Sequence, residues 1–261
     1  MQGPLRFAVL GDPIEHSRSP AIHTAALVRL GIEGSYVAIR AGSPELVDAV
    51  QELRQGTLHG LNITMPLKTE AAALADSLTE EAARAGSVNT MRARNGVVEG
   101  LSSDVIAFTR AIRDPRFETR APLLVLGAGG AAAAALVGTA GRQVYLAARD
   151  ESRARELIQR VKREAEVIPF AAGVAGALVV NATPLGMNGE RLPEAVTRIA
   201  SGLIDLAYGS GETQAVAHAH AEGLPVMDGI EFLVVQAAVS FEWWLGRPAP
   251  LEVMAEAARN V

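Results

Sequence analysis

The chain contains no cysteine. This absence excludes disulfide bonds, thiolate metal sites and cysteine nucleophiles. The chain also lacks a basic run, and its formal net charge of −5 over 261 residues argues against nucleic acid as a partner. None of its five histidines shows the spacing of an HExxH pair, so we expect no metal site.

We also expect no membrane-directed segment. The N-terminus has no basic region followed by an apolar core, so we predict no secretory signal and a cytoplasmic location. Residues 121–141 carry no charge and have the length of a membrane span, but they include five glycines and are mostly alanine after Gly130. A buried strand, a glycine turn and a buried helix explain this stretch better, so we expect no membrane contact.

Two patterns divide the chain. Residues 1–103 alternate short apolar strands with helices, and Asn95-Gly96 is typical of a hairpin turn. From residue 123 onward a strand-helix unit repeats, which predicts a parallel sheet. The predicted strands of this block are Leu123–Leu126, Gln143–Ala148, Val167–Phe170, Leu178–Asn181, Leu203–Leu206 and Val226. We therefore predict an α/β protein of two domains, with the pattern changing near residue 104.

The segment Leu61–Lys68 carries several chemically useful groups. Asn62 and Thr64 alternate on a short apolar strand and therefore point to the same face. Pro66 stops the strand, and Lys68 stands at the start of the next helix. An amide, a hydroxyl and an amine suit a site that holds a polyhydroxylated small molecule and moves a proton. A strand end with a solvated lysine is the simpler alternative.

A glycine-rich turn follows the strand Leu123–Leu126. Its spacing is G-x-G-x-x-A from Gly127 to Ala132, between a predicted strand and a predicted helix. Gly127 permits the tight turn, Gly129 lets the backbone approach a pyrophosphate, and the helix N-terminus faces the anion. We therefore predict a dinucleotide site. Its residues are Gly127, Ala128, Gly129, Gly130 and Ala131.

The end of the next strand bears on the choice between NAD and NADP. An acidic residue there would bind the ribose 2′-hydroxyl of NAD. The strand instead ends in Arg149, with Arg153 one helical turn later, and both offer cations for a 2′-phosphate. Asp150 is an acidic residue close to this position and would favour NAD, although it also suits a helix N-cap. We predict NADP, with a solvated helix start as the alternative reading of both arginines.

Several motifs match one known family in order along nearly the whole chain. They are Gly11–Pro20 (GDPIEHSRSP), Asn62–Lys68 (NITMPLK), Ala85–Thr90 (AGSVNT), Asp104, the Gly127–Ala132 loop, Arg149, Asn181–Met187 (NATPLGM), Asp205–Tyr208 (DLAY), Asp228-Gly229 and Gln236. On these residues the chain resembles the shikimate dehydrogenase family. The H-S-x-S-P and N-x-T-x-P-x-K elements are far more specific than the glycine loop.

The resemblance implies a reversible reduction of 3-dehydroshikimate to shikimate by NADPH. It implies that Lys68 donates and accepts the proton and that Asp104 pairs with it. The other substrate contacts it implies are Ser17, Ser19, Asn62, Thr64, Asn89, Tyr208 and Gln236. Leu206 and Gly229 would lie by the nicotinamide.

The same resemblance assigns roles to the two predicted domains. Residues 1–103 with 229–261 would bind the substrate, and residues 104–228 would form a Rossmann-like NADP-binding domain. We expect the site in a cleft between them. A monomer and a homodimer are both compatible with the sequence.

Three departures from the family pattern concern the cofactor side. The family's N-T-D-G-x-G becomes Ser102–Ala107, which keeps the carboxylate of Asp104 and loses both glycines. Ala148 replaces an asparagine, and Glu231 replaces a glycine close to the expected nicotinamide end. We therefore expect altered packing of the connecting helix and altered cofactor affinity.

Two other functions remain open. One is a related enzyme that oxidises quinate or aminoshikimate, which the pocket residues do not distinguish. The other is a sensor module that binds NADP without turnover. The presence of Lys68 with Asp104 argues against a sensor, because a sensor has no need of a proton donor.

Replacing Arg149 with alanine should weaken NADPH binding about tenfold or more while leaving NADH binding nearly unchanged, because only NADPH carries a 2′-phosphate for the guanidinium. Dissociation constants from fluorescence of the reduced nicotinamide would measure both. Equal losses for the two cofactors would contradict this assignment.

Overall fold

The computed structural model describes residues 3–139, 141–209 and 211–261. The chain divides into two compact units, residues 1–103 with 234–261 and residues 104–233. Each unit has its own sheet and its own hydrophobic core. The predicted α/β class with two domains is confirmed.

Strands and helices alternate along most of the described chain. The strands are Leu5–Gly11 (β1), Gly34–Arg40 (β2), Gly60–Ile63 (β3), Ser77–Leu78 (β4), Thr90–Arg94 (β5), Val97–Leu101 (β6), Leu123–Leu126 (β7), Val144–Ala148 (β8), Glu166–Pro169 (β9), Leu178–Asn181 (β10), Gly202–Asp205 (β11) and Val226–Met227 (β12). The helices are Ser19–Arg29 (α1), Ser43–Gln55 (α2), Lys68–Leu74 (α3), Glu80–Ala85 (α4), Ser103–Ala111 (α5), Gly130–Gly138 (α6), Glu151–Val161 (α7), Glu194–Thr197 (α8), Gln214–Ala221 (α9), Gly229–Leu245 (α10) and Leu251–Arg259 (α11).

The sheet of the first unit is mixed, with strand order β2-β1-β3-β5-β6-β4. Strand β1 is parallel to β2 and β3, whereas β5 is antiparallel to β3 and β6. The register sets Asn62 opposite Thr90 across the β3–β5 pair. Because cross-strand neighbours lie about 5 Å apart, this register brings the N-x-T motif beside the V-N-T motif.

The hairpin of β5 and β6 turns at the predicted dipeptide. Asn95 has φ 52° and Gly96 has φ 78°, so both central residues adopt the left-handed conformation. Asparagine and glycine tolerate this conformation best, and the resulting twist matches the flanking strands. The predicted hairpin is confirmed.

The sheet of the second unit is parallel throughout, with order β12-β11-β10-β7-β8-β9. Its central strands are buried on both faces, which is why β7 and β10 read as continuous apolar runs. The order reverses direction between β7 and β10. Ligands of such sheets bind outside the carboxyl ends of the strands at this point, as in Rossmann-like folds.

The connecting helix α5 packs closely on α6 although residues 105 and 107 are not glycine. The glycine that permits this close packing is Gly138 on α6. A Cβ atom added to Gly138 would lie 2.6 Å from the Val105 carbonyl oxygen. The Thr109 hydroxyl, which has one hydrogen to donate, lies 3.0 and 3.1 Å from the carbonyl oxygens of Val105 and Gly138. Gly138 therefore permits the close approach of these two helices.

No helix within the ranges 3–139, 141–209 and 211–261 combines the length and the apolar character of a membrane-crossing segment.

An aromatic cluster in the first unit contains one buried histidine. The His23 ring stacks on Tyr36, with centroids 4.4 Å apart, and lies 5.3 Å from the Trp244 ring. His23 is 1% exposed, and neither ring nitrogen has a hydrogen-bond partner. Burial therefore lowers the pKa of His23 from 6.5 to about 3, because a charged imidazolium here would be poorly solvated.

Replacing His23 with phenylalanine should flatten the acid dependence of stability. The folded-state pKa of His23 lies below the unfolded one, so the unfolded chain binds the proton first as pH falls. The stability linked to His23 is complete above pH 6.5 and is lost toward pH 3. From pH 7 to pH 5 the wild type should lose about 2 kcal/mol more unfolding free energy than the variant.

Urea unfolding at several pH values would measure this difference. The matched control is Tyr36→Phe, which changes the same cluster and retains the imidazole, so it should keep the wild-type pH slope. An unchanged slope in His23→Phe would contradict the assignment.

Candidate functional site

Asn62 lies at the centre of a buried polar network at the end of β3. Its Oδ1 accepts from the Tyr36 hydroxyl at 2.7 Å. Its Nδ2 lies within 3.0–3.1 Å of the Asn89 carbonyl oxygen, Thr90 Oγ1 and Ser240 Oγ. Asn62 is 6% exposed. Both ends of its amide are therefore bound by protein groups.

Asn89 and Gln236 are neighbours although they lie 147 positions apart. Asn89 Oδ1 accepts from the Ser103 backbone N–H at 2.7 Å, and its Nδ2 donates to Ser103 Oγ at 2.9 Å. Gln236 Oε1 accepts from Ser103 Oγ at 3.0 Å and lies 3.5 Å from Asn89 Nδ2. Two predicted substrate residues thus share Ser103 as a partner.

The two predicted carboxylate-binding serines lie next to this network. Ser17 Oγ accepts from the Ser19 backbone N–H at 3.4 Å, and the Ser19 side chain hydrogen-bonds the Tyr36 hydroxyl. Burial raises the pKa of Tyr36 well above its usual value, an effect that the Ser19 hydrogen bond opposes. Tyr36 therefore stays protonated, and it links Ser19 to Asn62.

A turn held by backbone hydrogen bonds connects the end of β3 to Lys68 at the start of α3. The Thr64 backbone N–H donates to Leu10 O at 2.8 Å, and the Leu67 N–H donates to Thr64 O at 3.0 Å. Lys68 is the first residue of α3 and is half-buried. The strand-turn-helix context predicted for this motif is therefore present.

Asp104, the predicted partner of Lys68, lies in the other unit. It stands in the first turn of α5 and is 8% exposed. A carboxylate at this burial is stable only with hydrogen bonds or an opposite charge. Its pairing with Lys68 remains a prediction.

The glycine turn after β7 has the geometry of an anion site. Gly127 has φ 112°, and a Cβ atom added there would lie 2.9 Å from Ala182 O, so this position requires glycine. Gly129 is the N-cap of α6, and nothing lies within 4 Å of a Cβ atom built there. This open space at a helix N-terminus fits a pyrophosphate, whose charge the N–H groups stabilise.

A buried carboxylate organises the strand ends beside that turn. Asp205 Oδ1 accepts from Asn181 Nδ2 at 2.8 Å and from the Ala207 N–H at 3.0 Å, and its Oδ2 accepts from the Thr213 hydroxyl at 2.6 Å. Desolvation raises the pKa of Asp205, and the bonds from Thr213 and Asn181 oppose this rise. These bonds fix the start of the segment that carries Leu206 and Tyr208.

The residues after β8 favour a 2′-phosphate over a 2′-hydroxyl. Arg149 is exposed, and its guanidinium carbon lies 6.0 Å from the Phe170 ring centroid. Asp150 caps α7 by accepting from the N–H groups of Ser152 and Arg153. A hydrogen bond from the Ser152 hydroxyl is the main reason that the pKa of Asp150 is lowered. Asp150 thus serves as a helix cap.

Glu231 is bound by a cation of its own unit. Its carboxylate pairs with Arg116, and Arg116 Nη1 also donates to Val226 O at 2.8 Å. The Glu231 N–H donates to Asp228 Oδ1 at 2.7 Å. A Cβ atom added to Gly229 would lie 2.5 Å from the Ala207 carbonyl oxygen, so the turn before α10 is tightly packed.

Four residues of the first network were missed by sequence reasoning. They are Tyr36, Thr90, Ser103 and Ser240. Ser240 could have been predicted from the sequence, because it lies four positions after Gln236 and therefore on the same face of a helix. The positions of Tyr36 and Thr90 depend on strand register, and that of Ser103 depends on where α5 begins after β6.

The fold and these groups define a dinucleotide-binding α/β protein. Its parallel sheet carries a glycine turn at the point where the strand order reverses, and its other unit holds a buried cluster of amides and hydroxyls.

Family models agree with this architecture. The model described as the shikimate dehydrogenase substrate binding domain matches residues 9–91, and the shikimate 5′-dehydrogenase C-terminal domain matches residues 229–259. A shikimate dehydrogenase (NADP(+)) from Thermus thermophilus is 37% identical, with 98% of each chain covered. The enzyme of the same name from Methanopyrus kandleri is 36% identical, with 95% of this chain and 93% of the relative covered. The chain belongs to the shikimate dehydrogenase family.

Solved structures point the same way. The crystal structure of a Thermus thermophilus shikimate 5-dehydrogenase in complex with NADP(H) and shikimate superposes with a TM-score of 0.88. It is 36% identical and covers 98% of this chain and 99% of its own. The resemblance inferred from the sequence motifs is confirmed.

Replacing Glu231 with glycine should change KM for the predicted cofactor NADP by less than about threefold, because its carboxylate is already paired with Arg116, which Asp114 also binds. Arg116→Ala should raise this KM about fivefold, because it leaves the carboxylates of Asp114 and Glu231 without this cation near an anionic cofactor and frees the Val226 carbonyl. The double variant should return toward the Glu231→Gly value. Steady-state rates at varied NADP would test this, and a large rise in KM for Glu231→Gly alone would contradict it.

Proposed function

We propose that this protein catalyses the reversible, NADPH-dependent reduction of 3-dehydroshikimate to shikimate. One observation supports this proposal most strongly. Ser19, Asn89 and Gln236 come from distant segments and belong to one buried polar network, in a chain similar over 98% of its length to an NADP-dependent shikimate dehydrogenase.

We assign substrate binding to residues 1–103 with 229–261 and NADP binding to residues 104–228. The match of residues 9–91 to a substrate binding domain supports the first assignment. The reversal of strand order beside Gly127 supports the second.

NADP fits the residues of the second unit. The Gly127–Ala131 turn and the start of α6 would hold the pyrophosphate, and Arg149 with Arg153 would hold the 2′-phosphate. Leu206 and Gly229 would border the nicotinamide. When bound, NADPH supplies the hydride that reaches the carbonyl carbon of the substrate.

Lys68 supplies the proton in this proposal. Negative charge develops on the carbonyl oxygen as the carbonyl carbon is reduced, and an ammonium group stabilises that charge and then protonates the oxygen. In the oxidation direction the amine takes the hydroxyl proton back. Asp104 orients the amine, and its buried carboxylate gains a cationic neighbour by doing so.

Hydroxyl and amide side chains bind the rest of the substrate. Ser17 and Ser19 would hold the carboxylate. Each buried substrate hydroxyl requires a partner, and an analogue that lacks it leaves that partner unsatisfied. The remaining residues of this set are Asn62, Thr64, Asn89, Tyr208 and Gln236. A cytoplasmic location and a monomeric or homodimeric state complete the proposal.

The decisive experiment follows absorbance of the reduced nicotinamide in purified protein with NADP and shikimate. Lys68→Ala should lower kcat about 1,000-fold, because a positioned proton donor typically contributes that much. The chain has one other lysine, Lys162, at the end of α7, and Lys162→Ala should keep the wild-type rate.

Each other outcome supports a different reading. Faster oxidation of quinate than of shikimate would favour the related enzyme. NADPH binding without turnover of shikimate, quinate or aminoshikimate would favour a sensor. Full activity in Lys68→Ala would overturn the role of that residue.

A further inference from the structure

A single hydroxyl on α10 joins that helix to two strands of the first unit. Ser240 is completely buried. Its Oγ lies 2.8 Å from Thr90 Oγ1 on β5, 3.0 Å from Asn62 Nδ2 on β3, and 3.2 Å from the Gln236 carbonyl oxygen on its own helix. It is therefore the meeting point of three short segments.

The hydrogens and lone pairs around Ser240 form one consistent arrangement. A serine hydroxyl has one hydrogen and two lone pairs. If Ser240 donates to the Gln236 carbonyl one turn earlier, as serine commonly does in helices, both lone pairs remain for Asn62 and Thr90. Each of these two residues then donates to Ser240.

Anchoring Ser240 also sets the position of Gln236. The two residues lie four apart on α10 and share one helix face. Gln236 Oε1 accepts from Ser103 Oγ at 3.0 Å, and the same Ser103 is bound to Asn89. The rotation of α10 about its axis therefore decides whether the Gln236 amide meets the Asn89–Ser103 pair.

We propose that Ser240 is a positioning residue for the substrate site. With Asn62 and Thr90 it holds α10 in the rotation that sets Gln236 beside Asn89. The amide of Asn62 is bound at both ends by protein groups, so Asn62 helps to hold this position in addition to the substrate contact proposed for it. The inference rests on the proposed function, because it takes Gln236 and Asn89 to be substrate contacts.

The first test is Ser240→Ala, which removes only the hydroxyl. We expect the dissociation constant of shikimate to rise about tenfold and that of NADP to change by less than about twofold. Isothermal titration calorimetry measures both constants and requires no turnover. Thr90→Val should reproduce the effect, because it removes a hydroxyl at nearly constant volume. Thr90→Ser, which keeps the hydroxyl, should restore most of the affinity.

A second variant separates positioning from a general loss of packing. In a Gln236→Ala background, Ser240→Ala should weaken shikimate binding by less than about twofold further, because the residue it positions is already gone. A merely structural role predicts the same loss in both backgrounds, together with weaker NADP binding. That result would overturn the inference, as would unchanged shikimate affinity in Ser240→Ala.

Failure of the inference and failure of the proposed function are distinguishable. A wild-type protein that binds shikimate without oxidising it overturns the proposed function alone. A wild-type protein that oxidises shikimate, with a Ser240→Ala variant of equal affinity, overturns the inference alone.

Discussion

The first unit depends on the burial of one side-chain amide. An amide removed from water without partners costs about 1–3 kcal/mol for each unsatisfied group. Asn62 avoids this cost because Tyr36 on β2, Asn89 just before β5, Thr90 on β5 and Ser240 on α10 converge on it. These hydrogen bonds hold β3, the β5–β6 hairpin and α10 in fixed positions relative to one another. The residues assigned to substrate binding lie in or next to this network.

The second unit meets the same constraint with a carboxylate. Asp205 is buried at the end of β11, and donors from β10, from its own loop and from Thr213 satisfy its oxygens. The cost of burying a charge is thereby reduced, and two loops are tied to the strand ends next to the glycine turn. In both units, buried polar side chains with satisfied hydrogen bonds thus fix the positions of the neighbouring candidate site residues.

Two departures from the family pattern have structural counterparts elsewhere in the chain. The helices α5 and α6 approach closely because Gly138 offers no side chain to Val105. Glu231 stands where the family has glycine, and its carboxylate forms an ion pair with Arg116. Both compensations join residues far apart in sequence. The loss of two glycines from α5 therefore leaves this helix contact close, since the needed small residue lies on the facing helix.

Sequence patterns were enough to predict the α/β class, the parallel second sheet, the hairpin at Asn95-Gly96 and the residues of the family motifs. Local patterns suffice there, because strand runs, turn dipeptides and motif spacing need no distant partner. The two-residue strand β4 was not predicted, since it exists only through pairing with Glu99 and Gly100. The network that joins Asn62, Thr90 and Ser240 could be recognised only in the folded chain. A hydrogen bond between residues 178 positions apart depends on register and helix rotation, which no local pattern encodes.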